Sequence, residues 1–254
     1  MAKEMIYDTG DKYVGDLDGE KRQGKGKYTY KNGNRYEGEW NNSQKQGMGV
    51  FVFPSGTKYE GEWRDDEKSG TGIYYYKNGD RYVGNWKNGL QSGKGIYLYT
   101  NGDKYEGQWE QGKQNGLGVY HYSNGNKYEG EWKDGKKHGD GMFYYAHGDK
   151  ARNEWVDDIR EGHGVIVYSG GNTYDGEFKK DKRHGFGVLT FANGEIYKGE
   201  WKDNKRHGKG AYAYPDKSVY DGGWQNDKMH GRAMYYYPDG RKESREYSEG
   251  DRVT

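Results

Sequence analysis

Polar and apolar residues alternate along this chain in short bursts. Lys58-Tyr59-Glu60-Gly61-Glu62-Trp63 sets polar against apolar or small side chains residue by residue, the period of a strand with two unlike faces. Gly72-Ile73-Tyr74-Tyr75-Tyr76 supplies a second strand, rich in aromatic residues. The polar stretch 64–69 between them reads as a loop, so the pair predicts a β-hairpin. Asn-Gly turns such as Asn78-Gly79 predict the link from one hairpin to the next.

The hairpin repeats. The tyrosine that opens each Tyr-x-Gly-x-Trp segment recurs at Tyr13, Tyr36, Tyr59, Tyr82, Tyr105, Tyr128, Tyr174, Tyr197 and Tyr220. Every interval is 23 residues once position 151 is counted as a unit whose tyrosine has become Ala151. An unbroken period of this size signals a repeat array. The reading is an N-terminal half-repeat over residues 1–12, ten repeats over 13–242, and a capping strand over 243–254.

The joining turn decides which side chains share a face. Asn-Gly suits a two-residue turn or a three-residue type I turn closed by a glycine bulge. Pro54, Pro215 and Pro238 occupy one repeat position, just before the Asn, Asp or Ser, where a type I turn wants φ near −65°. The bulged turn pairs Tyr59 with Phe51 and Gly61 with Gly49. Tyrosine, tryptophan, glycines and second-strand aromatics then face one way, with glycine leaving room for rings to lie across the sheet. Lys58, Glu60 and Glu62 face the other.

Composition supports this picture. The 254 residues include 45 glycines, 28 tyrosines and 8 tryptophans but only five leucines, too few for an ordinary globular core. Lys and Arg number 41 against 40 Asp and Glu, so no global field holds nucleic acid or an anionic membrane. There is no cysteine, hence no disulfide frame and no thiolate metal site. No apolar run suggests a signal peptide or a membrane span, and the expected setting is cytoplasmic.

The repeat resembles the MORN family, whose unit is Tyr-x-Gly-x-Trp-x(6)-Gly-x-Gly-x-aromatic-x-aromatic-x-x-Gly. Tyr59, Gly61, Trp63, Gly70, Gly72, Tyr74, Tyr76 and Gly79 match it, as do Tyr82, Gly84, Trp86, Gly93, Gly95, Tyr97, Tyr99 and Gly102. The resemblance implies an all-β fold: an elongated, twisted single-layer antiparallel sheet of tandem hairpins.

Three motifs have plain structural readings. Gly19 to Gly26 almost spells a phosphate-binding loop, but its glycines are repeat glycines and no helix follows. His138, His184, His207 and His230 share one repeat position, and successive units lie about two strand spacings apart, too far for a shared ion. Paired glutamates such as Glu37 and Glu39 sit beside lysine or arginine, which predicts cross-strand ion pairing rather than acid–base work. No catalytic residue, cofactor or metal is expected.

Two surfaces are candidates for binding. A single-layer sheet leaves its aromatic face uncovered, which nominates Tyr36, Trp40, Tyr59, Trp63, Tyr82, Trp86, Tyr105, Trp109, Tyr128 and Trp132 as a partner strip. The basic pairs Lys136-Lys137, Lys182-Arg183 and Lys205-Arg206 line one edge and form a candidate site for an anionic partner. The seventh unit departs from the pattern with Ala151 and Asn153. MORN-only proteins resemble radial-spoke head components of cilia and protist cytoskeletal scaffolds. This implies a non-enzymatic scaffold in a cytoskeletal assembly, most concretely the ciliary or flagellar axoneme. Its expected partners are other proteins of that complex, a homologous MORN protein or a second copy of itself, with no nucleic acid. The alternative is a peripheral membrane protein that binds anionic phospholipid through the basic edge.

Overall fold

A computed structural model describes residues 3–253 and contains strands, turns and no helix among them. The chain forms two compact units, residues 1–123 with 132–135, and residues 124–131 with 136–254. In each unit the strands are antiparallel and pair with their neighbours in the chain. Each unit is therefore a run of consecutive hairpins in a single layer.

The first unit begins with β1 (Lys3–Ile6), β2 (Lys12–Asp18) and β3 (Lys21–Thr29). It continues through β4 (Arg35–Asn41), β5 (Gln44–Val52), β6 (Lys58–Arg64), β7 (Glu67–Tyr75), β8 (Arg81–Lys87) and β9 (Leu90–Leu98). It ends with β10 (Lys104–Glu110) and β11 (Lys113–His121). β12 (Lys127–Lys133) gives residues to both units. The second unit holds β13 (Lys136–Tyr144) to β23 (Asp251–Arg252), among them β14 (Lys150–Val156), β15 (Ile159–Val167) and β22 (Lys242–Ser248).

Two turn types alternate. Between repeats, Phe53 donates its N–H to Thr57 O and Gly56 donates to Phe53 O, with Gly56 at φ 88°. This is the type I turn with a glycine bulge, and Phe51 pairs with Tyr59 and Gly49 with Gly61 as the prolines predict. Inside a repeat the loop is tighter than its polar sequence suggests. Asp65 and Asp66 alone form the turn, both left-handed at φ 50° and 67°, the geometry of a type I′ hairpin. Residues 67–69 belong to β7. Two spare residues are absorbed by a bulge opposite Glu62, where Gly70 takes φ 56°.

That bulge gives the second glutamate a different role from the one expected. Glu62 accepts the Thr71 N–H at 2.7 Å, and that bond holds its carboxyl below the usual range. Glu39, Glu177 and Glu200 accept from Met48, Phe186 and Lys209 in the same way. Ion pairing accounts for the first glutamate: Glu37 meets its cross-strand partner Lys27 at 3.9 Å, as expected, while Glu60 pairs with Lys58 of its own strand at 2.6 Å.

Candidate functional site

The aromatic face packs against itself. Tyr59 lies along its strand with its ring over Gly61 and Gly72, and its hydroxyl donates to Glu62 O at 2.9 Å. A Cβ on Gly72 would come within 2.6 Å of Tyr59 Cε2. The ring meets Trp63 edge-on at 5.2 Å and Trp86 of the next repeat at 5.2 Å. Tyr36, Tyr82 and Tyr105 repeat this with Trp40 and Trp63, Trp86 and Trp109, Trp109 and Trp132. Edge-to-face pairs of this kind add about 0.5–1.5 kcal/mol each beyond area burial.

The expected partner strip is thus already occupied. Tyr36, Tyr59, Tyr82, Tyr105 and Tyr128 are 0–1 % exposed, and Trp40, Trp63, Trp86, Trp109 and Trp132 are 3–7 %. The sheet needs no second layer because each tyrosine is covered by the tryptophan of the following repeat. These ten residues form a core, not an open surface.

The basic edge is absorbed as well. Lys137 stands 4.4 Å from the Trp155 ring centre, Arg183 4.3 Å from Trp201 and Arg206 4.3 Å from Trp224, so each cation covers an indole. Arg206 also pairs with Asp227 at 3.3 Å. The outer lysines meet acids of the next turn, Lys136 with Asp157 at 4.0 Å and Lys182 with Asp203 at 3.4 Å. Lys205 is exposed at the start of its strand. The stripe is largely balanced by its own aspartates rather than free for an anion.

The surface that sequence reasoning passed over lies on the opposite face. The residue after the second glycine of each repeat is aliphatic in most units: Val50, Ile73, Ile96 and Val119 in the first, Met142, Val165 and Val188 in the second. Registry lines them up with acids and further aliphatics. Glu37, Val50, Glu60, Ile73, Val83, Ile96, Glu106 and Val119 are successive cross-strand partners. In the first unit this face forms a groove floored by Val14, Val50, Ile73 and Val83, with Arg35 and Glu37 among its polar lining. Met48, at its margin, is 57 % exposed. The signal was present in the sequence as a 23-residue recurrence, hidden beneath the louder Lys and Glu rows.

The seventh repeat is altered as a pair. Ala151 is fully buried, and Asn153 is 1 % exposed with neither amide atom hydrogen-bonded. A Cβ on Gly164 would lie 2.8 Å from Asn153 Cγ, the place a tyrosine ring takes in regular repeats. The amide fills the space the missing ring leaves. The Trp155 indole N–H is also unpartnered. The capping strand makes a different exchange, with Glu243 where a further repeat would have its tyrosine and Arg245 where it would have its first glycine. Here the two are joined at 3.0 Å, and Arg245 stacks 3.7 Å over Tyr235.

Among the described residues, no three His, Cys, Asp or Glu side chains gather to hold a metal ion. Nor, among the described residues, is any helix long and apolar enough to cross a membrane.

The family model described as MORN repeat matches residues 13–35, 36–58, 59–81, 82–104, 105–127, 128–150, 154–173, 174–196, 197–219 and 220–240. The match to the altered repeat starts only after Asn153. No curated protein sequence matches the chain. Among solved structures, the TCP10 domain of Danio rerio CPAP in complex with a STIL peptide is 15 % identical, with a TM-score of 0.47 over 100 % of this chain and 98 % of that one. The TCP domain of Drosophila melanogaster SAS-4 in complex with a proline-rich motif of Ana2 is 17 % identical, with a TM-score of 0.41 over 60 % and 83 %. A virginiamycin B lyase from Staphylococcus aureus reaches 0.16 at 11 % identity over 95 % and 82 %. With TM-scores below 0.5, none of these likenesses bears on what the chain binds.

Proposed function

The chain belongs to the MORN-repeat family, and we propose that it is a non-catalytic scaffold that holds other proteins against the face opposite its rings. The observation that carries this reading is the registered row of Val50, Ile73, Val83, Ile96 and Val119, broken only by Glu60 and Glu106, on an open face. Apolar surface left uncovered in a regular strip favours association, at about 25 cal/mol per Å² buried. The aromatic core makes the strip rigid, so little ordering cost falls on this side of an interface. The occupant is a protein segment with an apolar strip of its own, which lies along Val50, Ile73, Val83 and Ile96.

The cytoskeletal setting, and within it the axoneme, is the finer part of the proposal. It rests on the resemblance of MORN-only chains to radial-spoke head components. The test is recovery of the native complex with wild-type protein and with Val50→Lys/Ile73→Lys. Loss of the complex by the folded variant, with axonemal proteins in the wild-type eluate, is the expected result. Retention of every partner by the variant would move the site elsewhere. Pelleting with phosphatidylserine vesicles, lost on replacement of Lys136, Lys182 and Lys205, would support the phospholipid alternative instead.

A further inference from the structure

One cation on the ring face breaks a rule that the rest of the array obeys. The second residue of each long strand lies over the indole of the next repeat and faces the second residue of the next type I′ turn. Lys45 faces Asp66 with its Nζ at 3.6 Å, Arg160 faces Asp181 at 3.1 Å and Arg206 faces Asp227 at 3.3 Å. Arg183 has Asn204, whose carbonyl it reaches at 2.9 Å. Where the turn residue is Gly112 or Gly135, the strand residue is the neutral Gln91 or Gln114. Lys68 alone joins a cation to a glycine, Gly89, whose N–H donates to Lys68 O at 3.0 Å in the same register.

Lys68 Nζ sits among rings, 4.2 Å from the centre of Trp86, 4.6 Å from Tyr74 and 5.8 Å from Tyr59. The titratable side chains facing it are Tyr59 and Tyr74, which present their rings and which burial keeps neutral by pushing both upward. No carboxylate of β6, β7, β8 or the Asn88-Gly89 turn pairs with it. We propose that Lys68 is a reactive-amine site, which takes acyl groups from activated acyl donors of the thioester class ahead of the other lysines. The neutral amine attacks the thioester carbonyl, the C–N bond forms, the C–S bond breaks, and the departing thiolate takes up the proton the amine loses.

Burial lowers the ammonium to about 8. Compared with a lysine near 10.4, roughly a hundredfold more of the amine is neutral at pH 7.5, and desolvated lysines are activated in this way. Attraction of the ammonium to the ring faces, lower basicity and partial shielding by the rings take back part of that gain.

The experiment treats the full chain with a limiting amount of S-acetyl-N-acetylcysteamine at pH 7.5 and follows each lysine by mass spectrometry of proteolytic peptides. Lys68 is expected to be acetylated at least about tenfold faster than the exposed Lys87 and Lys94. Gly89→Asp supplies the missing carboxylate. The turn accepts it, since no atom lies within 4 Å of a Cβ there, and Asp66, Asp158 and Asp181 hold the same left-handed conformation at φ 66–73°. Gly89→Asp should slow Lys68 to the rate of Lys45, and the reciprocal Asp66→Gly should raise Lys45 toward that of Lys68. Equal rates for Lys68, Lys87 and Lys94, or no response of Lys68 to Gly89→Asp, would overturn the proposal.

Discussion

The indole N–H of Trp63 donates to the carbonyl oxygen of Gly49, 3.2 Å away in the preceding repeat. Trp40, Trp86, Trp109, Trp201 and Trp224 do the same with Gly26, Gly72, Gly95, Gly187 and Gly210. Each tryptophan therefore covers the tyrosine behind it and is pinned to that repeat's glycine. Trp63→Phe, which nature allows once as Phe178, keeps the ring and removes the bond. The expected loss is about 1–2 kcal/mol in urea unfolding, and Trp63→Ala should cost about 3–5 kcal/mol.

Gly72→Ala places a methyl group against the Tyr59 ring, which is held on its far side by Trp63 and Trp86 and has nowhere to move. A destabilisation of about 1–3 kcal/mol is expected from overpacking. The same substitution at Gly231, where no atom lies within 4 Å of the added Cβ, meets only the strain of its φ of 71°. Thermal unfolding of the two variants separates crowding from backbone strain.

The seventh repeat gives a coupling prediction. Ala151→Tyr alone drives a ring into the Asn153 amide, and Asn153→Gly alone leaves a void above Gly164. Made together they restore the regular pair and remove a buried amide without partners, a group that costs about 1–3 kcal/mol. The double variant should be more stable than wild type. Its effect should differ from the sum of the single effects by more than about 1 kcal/mol. Additive singles in denaturant titrations would show that the two positions do not share the space.

Acid should loosen the C-terminal end first. Glu243 accepts from Tyr237, Arg252 and Arg245, and these bonds lower its carboxyl to about 2. An acid with a depressed folded value stabilises fully above its unfolded pKa near 4.3, and that contribution fades as pH falls through about 2. Protection of the β22 amides, read as exchange relative to each amide's intrinsic rate at the same pH, is therefore expected to fall below pH 4 in wild type, and Glu243→Gln should already be less protected at pH 7.

Much of this was legible in the primary structure because the physics is local and repeated. Pro54 announced the turn, the turn set the pairing of Tyr59 with Phe51, and the pairing placed every ring. What escaped was cooperation between repeats. Nothing in a single Tyr-x-Gly-x-Trp unit reveals that Trp86 covers Tyr59, so the rings were read as a surface. Lys137, Arg183 and Arg206 read as a basic edge because their stretch was taken for a loop, whereas it begins the long strand of each hairpin. A slip of one residue decides whether a cation faces solvent or an indole. The aliphatic row through Ile73 was visible but overshadowed, since one isoleucine between charged neighbours carries little weight until ten such units are laid side by side.

Pairing that links only chain neighbours has a further consequence for how such a protein is made. A strand leaving the ribosome finds its partner in the strand just before it, across a turn of two or three residues, so loop-closure entropy stays small at every step. The tyrosine of one repeat is covered as soon as the tryptophan of the next emerges, 27 residues later. The nascent chain therefore exposes about one repeat's worth of unfinished apolar surface at a time, whatever its final length. Lengthening the array by another 23 residues adds nothing to that burden during synthesis.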